Sequence, residues 1–119
     1  MGKPDIVIKR IYEDAANRDG HRVLVDRLWP RGVSKDVAKL DDWCKDLAPS
    51  DDLRKWFDHD PDKFEEFAQK YKKELQGCEA KLDELLDIAK NKRVTLLYGA
   101  KDEQHNQAVV LRQVLCGHD

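Results

Sequence analysis

The feature that most constrains the fold is a short apolar run that leads directly into a charged loop. Val23, Leu24 and Val25 form a largely β-branched run of the kind found in buried strands. Two arginines, Arg27 and Arg31, follow it, together with a tryptophan, a proline and a glycine. Because ligands of open α/β sheets bind beyond the carboxyl ends of the strands, this loop is the expected place for a pocket.

Composition indicates a small folded protein without a strong overall charge. Its 119 residues suit one domain, residues 1–119, and 40% hydrophobic with 39% charged residues favours a small α/β domain over disorder. The formal net charge of -2 provides no general basic field that would attract nucleic acid or an anionic membrane. Any site for an anion must therefore be local.

Targeting signals and cysteine spacing predict the compartment. The first residues lack the apolar core of a signal peptide, and no later apolar run approaches the roughly 20 residues that span a bilayer. Cys44, Cys78 and Cys116 are widely separated and odd in number, which argues against a disulfide framework and a Cys-x-x-Cys motif. A cytoplasmic protein with reduced, buried cysteines and no membrane partner is expected.

Three apolar, β-branched runs predict strands. The first lies within residues 6–12, the second begins at Arg22, and the third is Val94–Tyr98. The link between the first two contains the turn-forming residues Asn17 and Gly20 and is shorter than a usual parallel crossover. These strands are therefore either an antiparallel pair or are joined by a cramped, mostly non-helical crossover.

Helical spacing of apolar residues begins after the charged loop. The first stripe joins Leu40, Trp43, Cys44 and Leu47, which stand at positions i, i+3, i+4 and i+7. Pro49 forces the residue before it out of the helical region, so this helix should end there. A first helix is therefore predicted through these four residues.

Four more helices are predicted from caps and apolar stripes. Ser50 and Asp60 each provide an N-cap, and Gly77 is expected to end the third helix. The fourth and fifth stripes begin at Leu82 and Ala108, on either side of the third strand. The predicted fold class is α/β, a small, mostly parallel sheet of three to four strands packed with about five helices.

The loops after the second and third strands face each other if those strands are parallel. Arg27 and Arg31 are then the leading ligand contacts, because a planar guanidinium donates two aligned hydrogen bonds to phosphate or carboxylate. Trp29 lies in the same loop and is free to form a wall of the pocket. The alternative is structural, with Arg27 paired to Asp26 or to a helix carboxylate and only closing the strand end.

The second loop, residues 99–106, joins a strand to the start of a helix, where free backbone N–H groups attract anions. Lys101 adds positive charge there. The loop matches neither a Walker A motif nor a Gly-x-Gly-x-x-Gly fingerprint, so no cofactor is predicted. Ordinary turn and cap chemistry is the alternative.

Three side chains are candidates for proton transfer. His105 and Tyr98 lie near the second loop, and a histidine in the first turn of a helix is disfavoured as a cation. Asp26 is a candidate general base, although a strand-end Asp also serves to orient a neighbouring Arg. His59 stands among helix-capping residues with no second histidine at ligand spacing, so no metal site is predicted.

Four motifs carry a resemblance to a known family. They are Arg22-Val-Leu-Val-Asp-Arg-Leu-Trp-Pro-Arg-Gly32, Leu47-Ala-Pro-Ser50, Trp56-Phe-Asp-His-Asp-Pro61 and Leu96-Leu-Tyr-Gly-Ala-Lys-Asp102 with His105-Asn106. Together they resemble the YeaO-like family of uncharacterised bacterial proteins over nearly the whole chain. The resemblance implies a small cytoplasmic α/β protein and adds Asn106 to the candidate ligand-binding residues. It supplies no reaction.

Two functions of different classes are predicted. The first is binding of a small anionic ligand, among phosphorylated metabolites or nucleotides, at the carboxyl ends of the strands, with or without catalysis. The second is a non-catalytic nucleic-acid- or protein-interaction module that uses a local basic patch, with Trp29 as a stacking platform. That patch comprises Arg10, Arg27, Arg31 and Lys35. Steep salt dependence would distinguish the second function from the first.

Overall fold

The computed structural model describes residues 4–117, and within them four strands form one fully parallel sheet. The strands are β1 (Ile6–Arg10), β2 (His21–Leu24), β3 (Asp42–Trp43) and β4 (Val94–Tyr98). Their spatial order is β1-β4-β2-β3, so β4 pairs with both β1 and β2. The predicted α/β class is confirmed, and the carboxyl ends of all these strands lie at one edge.

The helices lie mainly between β3 and β4 and after β4. They are α1 (Lys35–Ala38), α2 (Asp51–Phe57), α3 (Phe64–Leu75), α4 (Glu79–Ala89) and α5 (Gln107–Leu115). Because α1 is a single turn, residues 4–117 contain four longer helices against the five or so predicted. In this described part of the chain, no helix has the length and apolar character needed to cross a membrane.

The sheet separates two apolar clusters. Val23 of β2 and Leu96 of β4 point to the larger cluster, which the inward faces of α2, α3, α4 and α5 complete. Leu24 and Leu97 point to the smaller cluster on the other face, beside α1. Because side chains alternate along a strand, both faces of the central strands are covered, as their continuous apolar sequences predict.

The link between β1 and β2 is the cramped parallel crossover, since both strands run parallel to β4. A buried ion pair holds it in place. Arg22 Nη1 lies 2.6 Å from Asp19 Oδ2, and Lys9 Nζ lies 3.1 Å from the same oxygen. Thr95 Oγ1 donates a 2.7 Å hydrogen bond to the backbone carbonyl of Asp19, which ties the link to β4.

The helix predicted through Trp43 and Leu47 does not form. α1 ends at Ala38, because the next residue, Lys39, has a left-handed backbone (φ 47°). The chain then pairs with β2 as β3, and the N–H of Cys44 donates to the carbonyl of Leu24 at 2.9 Å. The prediction was wrong because pairing satisfies the open backbone edge of β2, a long-range gain that local apolar spacing does not register.

The two predicted N-caps are confirmed. Ser50 Oγ accepts a hydrogen bond from the N–H of Leu53 at the start of α2, and Asp60 caps the next turn in the same way. α3 ends at Leu75, shortly before the predicted stop at Gly77. These local signals place the termini of the helices that surround the site.

Candidate functional site

A cavity of about 620 Å³ opens at the carboxyl edge of the sheet. It lies between the loops that follow β2 and β4, which the parallel pairing of these strands places side by side. Its volume falls in the range of about 300–1,000 Å³ that is typical of small-molecule sites. Its polar lining includes Asp26, Arg27, Arg54, His59, Lys101 and Gln107.

Asp26 joins the two loops at the cavity wall. Its Oδ2 accepts a 2.8 Å hydrogen bond from the N–H of Gly99, and its Oδ1 accepts one from the side-chain amide of Gln107. Burial raises the pKa of Asp26 to about 6, although these hydrogen bonds and the charges of His59 and Arg54 favour the ionised form. A carboxyl group of this pKa can transfer a proton or accept a hydrogen bond near neutral pH.

Two guanidinium groups meet on the α2 side of the cavity. Arg27 Nε donates a 3.0 Å hydrogen bond to the carbonyl of Pro49 and lies 3.7 Å from Asp51 Oδ1. Arg54 Nη2 lies 3.3 Å from the same Asp51 oxygen. Arg27 thus contacts a helix carboxylate, as the structural alternative expects, and it also lines the cavity. At this side of the cavity two guanidinium groups thus share one exposed carboxylate.

Lys101 and His59 add charge from two other segments. Lys101 is exposed in the loop after β4, where the sequence predicts a cation beside the pocket. His59 follows Asp58 in a turn after α2, and both have left-handed backbones (φ 54° and φ 47°). This turn places the imidazole in the cavity lining, where its charge lowers the pKa of Asp26.

Trp29 and Arg31, from the same loop, take different positions. Trp29 lines the cavity, donates its indole N–H to the carbonyl of Val33 at 2.7 Å and packs edge-on against Trp43, with ring centroids 5.2 Å apart. Arg31 is exposed and lies outside the lining, and its carbonyl accepts a 3.0 Å hydrogen bond from Tyr12 Oη. Of the two predicted contacts, only Trp29 belongs to the cavity wall.

His105 and Tyr98 stand at the same edge of the sheet but outside the cavity lining. His105 Nδ1 lies 2.9 Å from Asp102 Oδ2, and its ring meets Phe64 edge-on with centroids 5.2 Å apart. Tyr98 is 2% exposed, and burial raises the pKa of its hydroxyl. These two candidates for proton transfer therefore do not share the cavity lining with Asp26.

Asn106 is the N-cap of α5. Its Oδ1 accepts a 3.1 Å hydrogen bond from the N–H of Val109, and its Nδ2 donates to the carbonyl of Asp102 at 2.8 Å. Although Asn106 lines the cavity, these bonds occupy both ends of its amide. Its structural role is to hold the loop after β4 against α5.

Sequence reasoning missed Arg54, Gln107 and the position of His59. Arg54 resembles any charged residue on the outer face of a short helix, and Gln107 resembles any residue in a first helical turn. Only a motif signal was available for His59, which stands within the Trp56-to-Pro61 segment that resembles the family. Their shared cavity arises from the packing of α2 and α5 against the sheet edge, which the chain order does not reveal.

Two of the cysteines are unreactive thiols, and residues 4–117 contain no cluster of metal-binding side chains. Burial raises the pKa of Cys44 to about 12 and that of Cys78 above its ordinary value, so both are thiols at neutral pH. All three cysteines are free. Within residues 4–117, no group of three or more His, Cys, Asp or Glu side chains could hold a metal ion.

The motif resemblance is confirmed by comparison with known families. A family model described as "Inactive DUF488-N3 subclade" matches residues 5–118. The chain belongs to this family. The uncharacterised protein YeaO of Escherichia coli is 45% identical over 107 residues, which cover 90% of this chain and 93% of YeaO.

Mycobacterial relatives of this DUF488-N3 chain are equally similar. The uncharacterised protein Rv3073c of Mycobacterium tuberculosis is 44% identical over 110 residues, which cover 92% of each chain. A Mycobacterium bovis protein, Mb3100c, matches to the same extent. No solved structure matches the chain. The relatives are named as uncharacterised proteins, so membership in the family assigns no reaction.

Proposed function

We propose that the protein binds a small anionic ligand, bearing phosphate or carboxylate, in the cavity at the carboxyl ends of β2 and β4. One observation carries the proposal: the guanidinium groups of Arg27 and Arg54 converge at the cavity on a single exposed carboxylate, that of Asp51. Exposed ion pairs contribute only about 0–1 kcal/mol, so an incoming anion can replace Asp51 at little cost. Lys101 adds a third positive charge to the lining, which also contains the carboxylates of Asp26 and Asp102.

Binding without turnover fits this site better than catalysis. The description of the family as inactive supports it. So does the separation of His105 and Tyr98 from the cavity, since a general acid or base must reach the ligand within hydrogen-bond distance. Asp26 is the predicted proton-transfer group that the cavity does contain, and here it serves in recognition.

We also place this binding activity in the cytoplasm. Three free cysteines, one of them buried, fit a reducing compartment better than an oxidising one.

A thermal-shift experiment tests the proposal. Wild type, Arg27→Ala and Arg54→Ala are heated with phosphate, pyrophosphate, nucleoside monophosphates, sugar phosphates and small dicarboxylates at matched ionic strength. Because a ligand that binds only the folded state stabilises it, a ligand at 100 times its Kd should add about 2.7 kcal/mol. We expect at least one anion to raise the melting temperature of wild type by several degrees, and each arginine variant to lose most of that shift.

Arg18→Ala is the matched control. Arg18 is exposed in the link that precedes β2, at the opposite edge of the sheet from the cavity, so its loss should leave the shift unchanged. If no anion stabilises wild type, or if both cavity variants retain the full shift, the cavity is not an anion site.

A further inference from the structure

The cavity lining carries charges of both signs. Arg27 and Arg54 supply positive charge beside Asp51, whereas Asp26 presents a carboxylate from the start of the loop after β2. A ligand that was only an anion would leave the remaining acceptor positions of this carboxylate unused and would be repelled by its negative charge. The ligand that suits both the arginines and Asp26 therefore carries a hydrogen-bond donor as well as an anionic group.

The Asp26 carboxylate has unused acceptor positions for such donors. An ionised carboxylate offers about four acceptor positions, two on each oxygen. Gly99 uses one position on Oδ2, and Gln107 uses one on Oδ1. About one position thus remains on each oxygen, and Asp26 lines the cavity. Two adjacent N–H groups on a ligand match this pair of acceptors in the bidentate manner that carboxylates favour.

Much of the remaining cavity wall is apolar. Phe57 and Phe67, stacked with centroids 4.2 Å apart, line the cavity together with Pro30. Tyr12 and Leu28, 47% and 60% exposed, also line it, and they are among the few large apolar side chains exposed in residues 4–117. A bare phosphate would leave these surfaces and most of the 620 Å³ volume unused. A flat ring would cover them.

We infer that the ligand is a small anion whose flat ring carries two adjacent N–H donors, the pattern of a guanine nucleotide, and that Asp26 accepts both. This inference rests on the proposed anion site, with Arg27 and Arg54 binding the phosphate. Among the common nucleobases, guanine is the one with neighbouring ring N–H and amino donors; adenine, cytosine and uracil each place an acceptor beside a donor.

Titration calorimetry with 5′-nucleoside monophosphates tests the inference. Wild type should bind guanosine monophosphate at least about tenfold more tightly than adenosine monophosphate, because a mismatched edge leaves buried polar groups unpaired. Inosine monophosphate, which lacks the amino group, should fall between them. Equal affinity for the guanosine and adenosine forms, or no binding of either, overturns the inference.

Asp26→Asn should change the base that the cavity prefers rather than abolish nucleotide binding. The amide replaces one acceptor by a donor, so the preference should move from guanosine to xanthosine monophosphate, in which an oxygen replaces the amino group. Asp83→Asn, an exposed change on α4, is the matched control and should keep the guanosine preference. A guanosine preference that survives in Asp26→Asn overturns the role of Asp26.

The two proposals fail in different ways. If pyrophosphate binds wild type and not Arg27→Ala, while the nucleotides show no base preference, the anion site stands and this inference falls. If neither pyrophosphate nor any nucleotide binds, both fall.

Discussion

At Asp26, burial and hydrogen bonding act in opposite directions on one carboxyl group. Removal from water disfavours the charge, while the N–H of Gly99 and the amide of Gln107 stabilise it. Burial is the larger effect, so the pKa rises from 3.8 to about 6. A carboxyl group whose ionised form is destabilised by burial is typical of a functional site, because a purely structural position would favour a neutral residue.

The raised pKa makes folding stability depend on pH. Since the folded state holds the Asp26 proton more tightly than the unfolded chain does, this group favours folding below about pH 4, and the contribution is lost as the pH rises through about 6. Relative to wild type, Asp26→Asn should therefore gain on the order of 2 kcal/mol in free energy of unfolding between about pH 4 and about pH 7.5. Urea denaturation at both pH values measures the difference.

Asp83→Asn serves as the control for this titration. Its side chain is exposed, so the free energy of unfolding relative to wild type should stay nearly constant over the same pH interval. Parallel pH profiles for wild type and Asp26→Asn would contradict the raised pKa.

At the scale of elements, the crossover between β1 and β2 depends on one close backbone approach. Gly20 has φ 66°, and a Cβ added there would lie 2.2 Å from the carbonyl oxygen of Arg93. The next residue, His21, donates its N–H to the same carbonyl at 2.8 Å, which starts the pairing of β2 with β4. The short link reaches its strand because glycine permits both the conformation and the contact.

Gly20→Ala should lower the free energy of unfolding by about 2 kcal/mol or more, because both the positive φ and the collision with Arg93 are unfavourable. At roughly 4 °C per kcal/mol for a domain of this size, the melting temperature should fall by about 8 °C. Gly77→Ala is the matched control: a Cβ there meets no atom within 4 Å, and the change should be close to neutral. Equal melting temperatures for the two variants would show that the crossover tolerates a side chain.

The segment before α2 shows where local pattern and tertiary structure disagree. Trp43 and Leu47 stand at helical spacing, yet Trp43 packs in the smaller cluster and Leu47 in the larger one. By contrast, Ser50 and Asp60 cap helices where the sequence predicts them, since a cap needs only residues within one turn. Local chemistry was predictable at this scale, and strand pairing was not.

At the scale of the whole molecule, the charge distribution favours a small ligand over nucleic acid. The net charge is -2, and the exposed ring of Tyr12, next to Arg31, already has the guanidinium of Arg10 over it, 5.1 Å from the ring centroid. Trp29, the predicted platform, has its ring edge-on to Trp43 and its indole N–H bonded to Val33. Stacking with a base needs an open ring face, which this packing restricts.

We therefore expect only weak, salt-sensitive binding of single-stranded RNA. Affinity for an oligonucleotide of about 12 residues should fall steeply with added salt and become undetectable near 150 mM, whereas a cavity-bound anion should respond much less. Fluorescence anisotropy at two salt concentrations measures this. Micromolar binding that persists at the higher salt and disappears in Trp29→Ala would favour the interaction-module function instead.

By itself, the sequence determined the α/β class, the two central strands, most helix termini and the loop that carries Asp26, Arg27 and Trp29. These features depend on burial periodicity and on caps, which act over a few neighbouring residues. Tertiary structure decided the parallel crossover, the strand β3 and the cavity that gathers Arg54, His59 and Gln107. Pairing of open strand edges and packing of distant helices create these features, and such contacts are not encoded in local spacing.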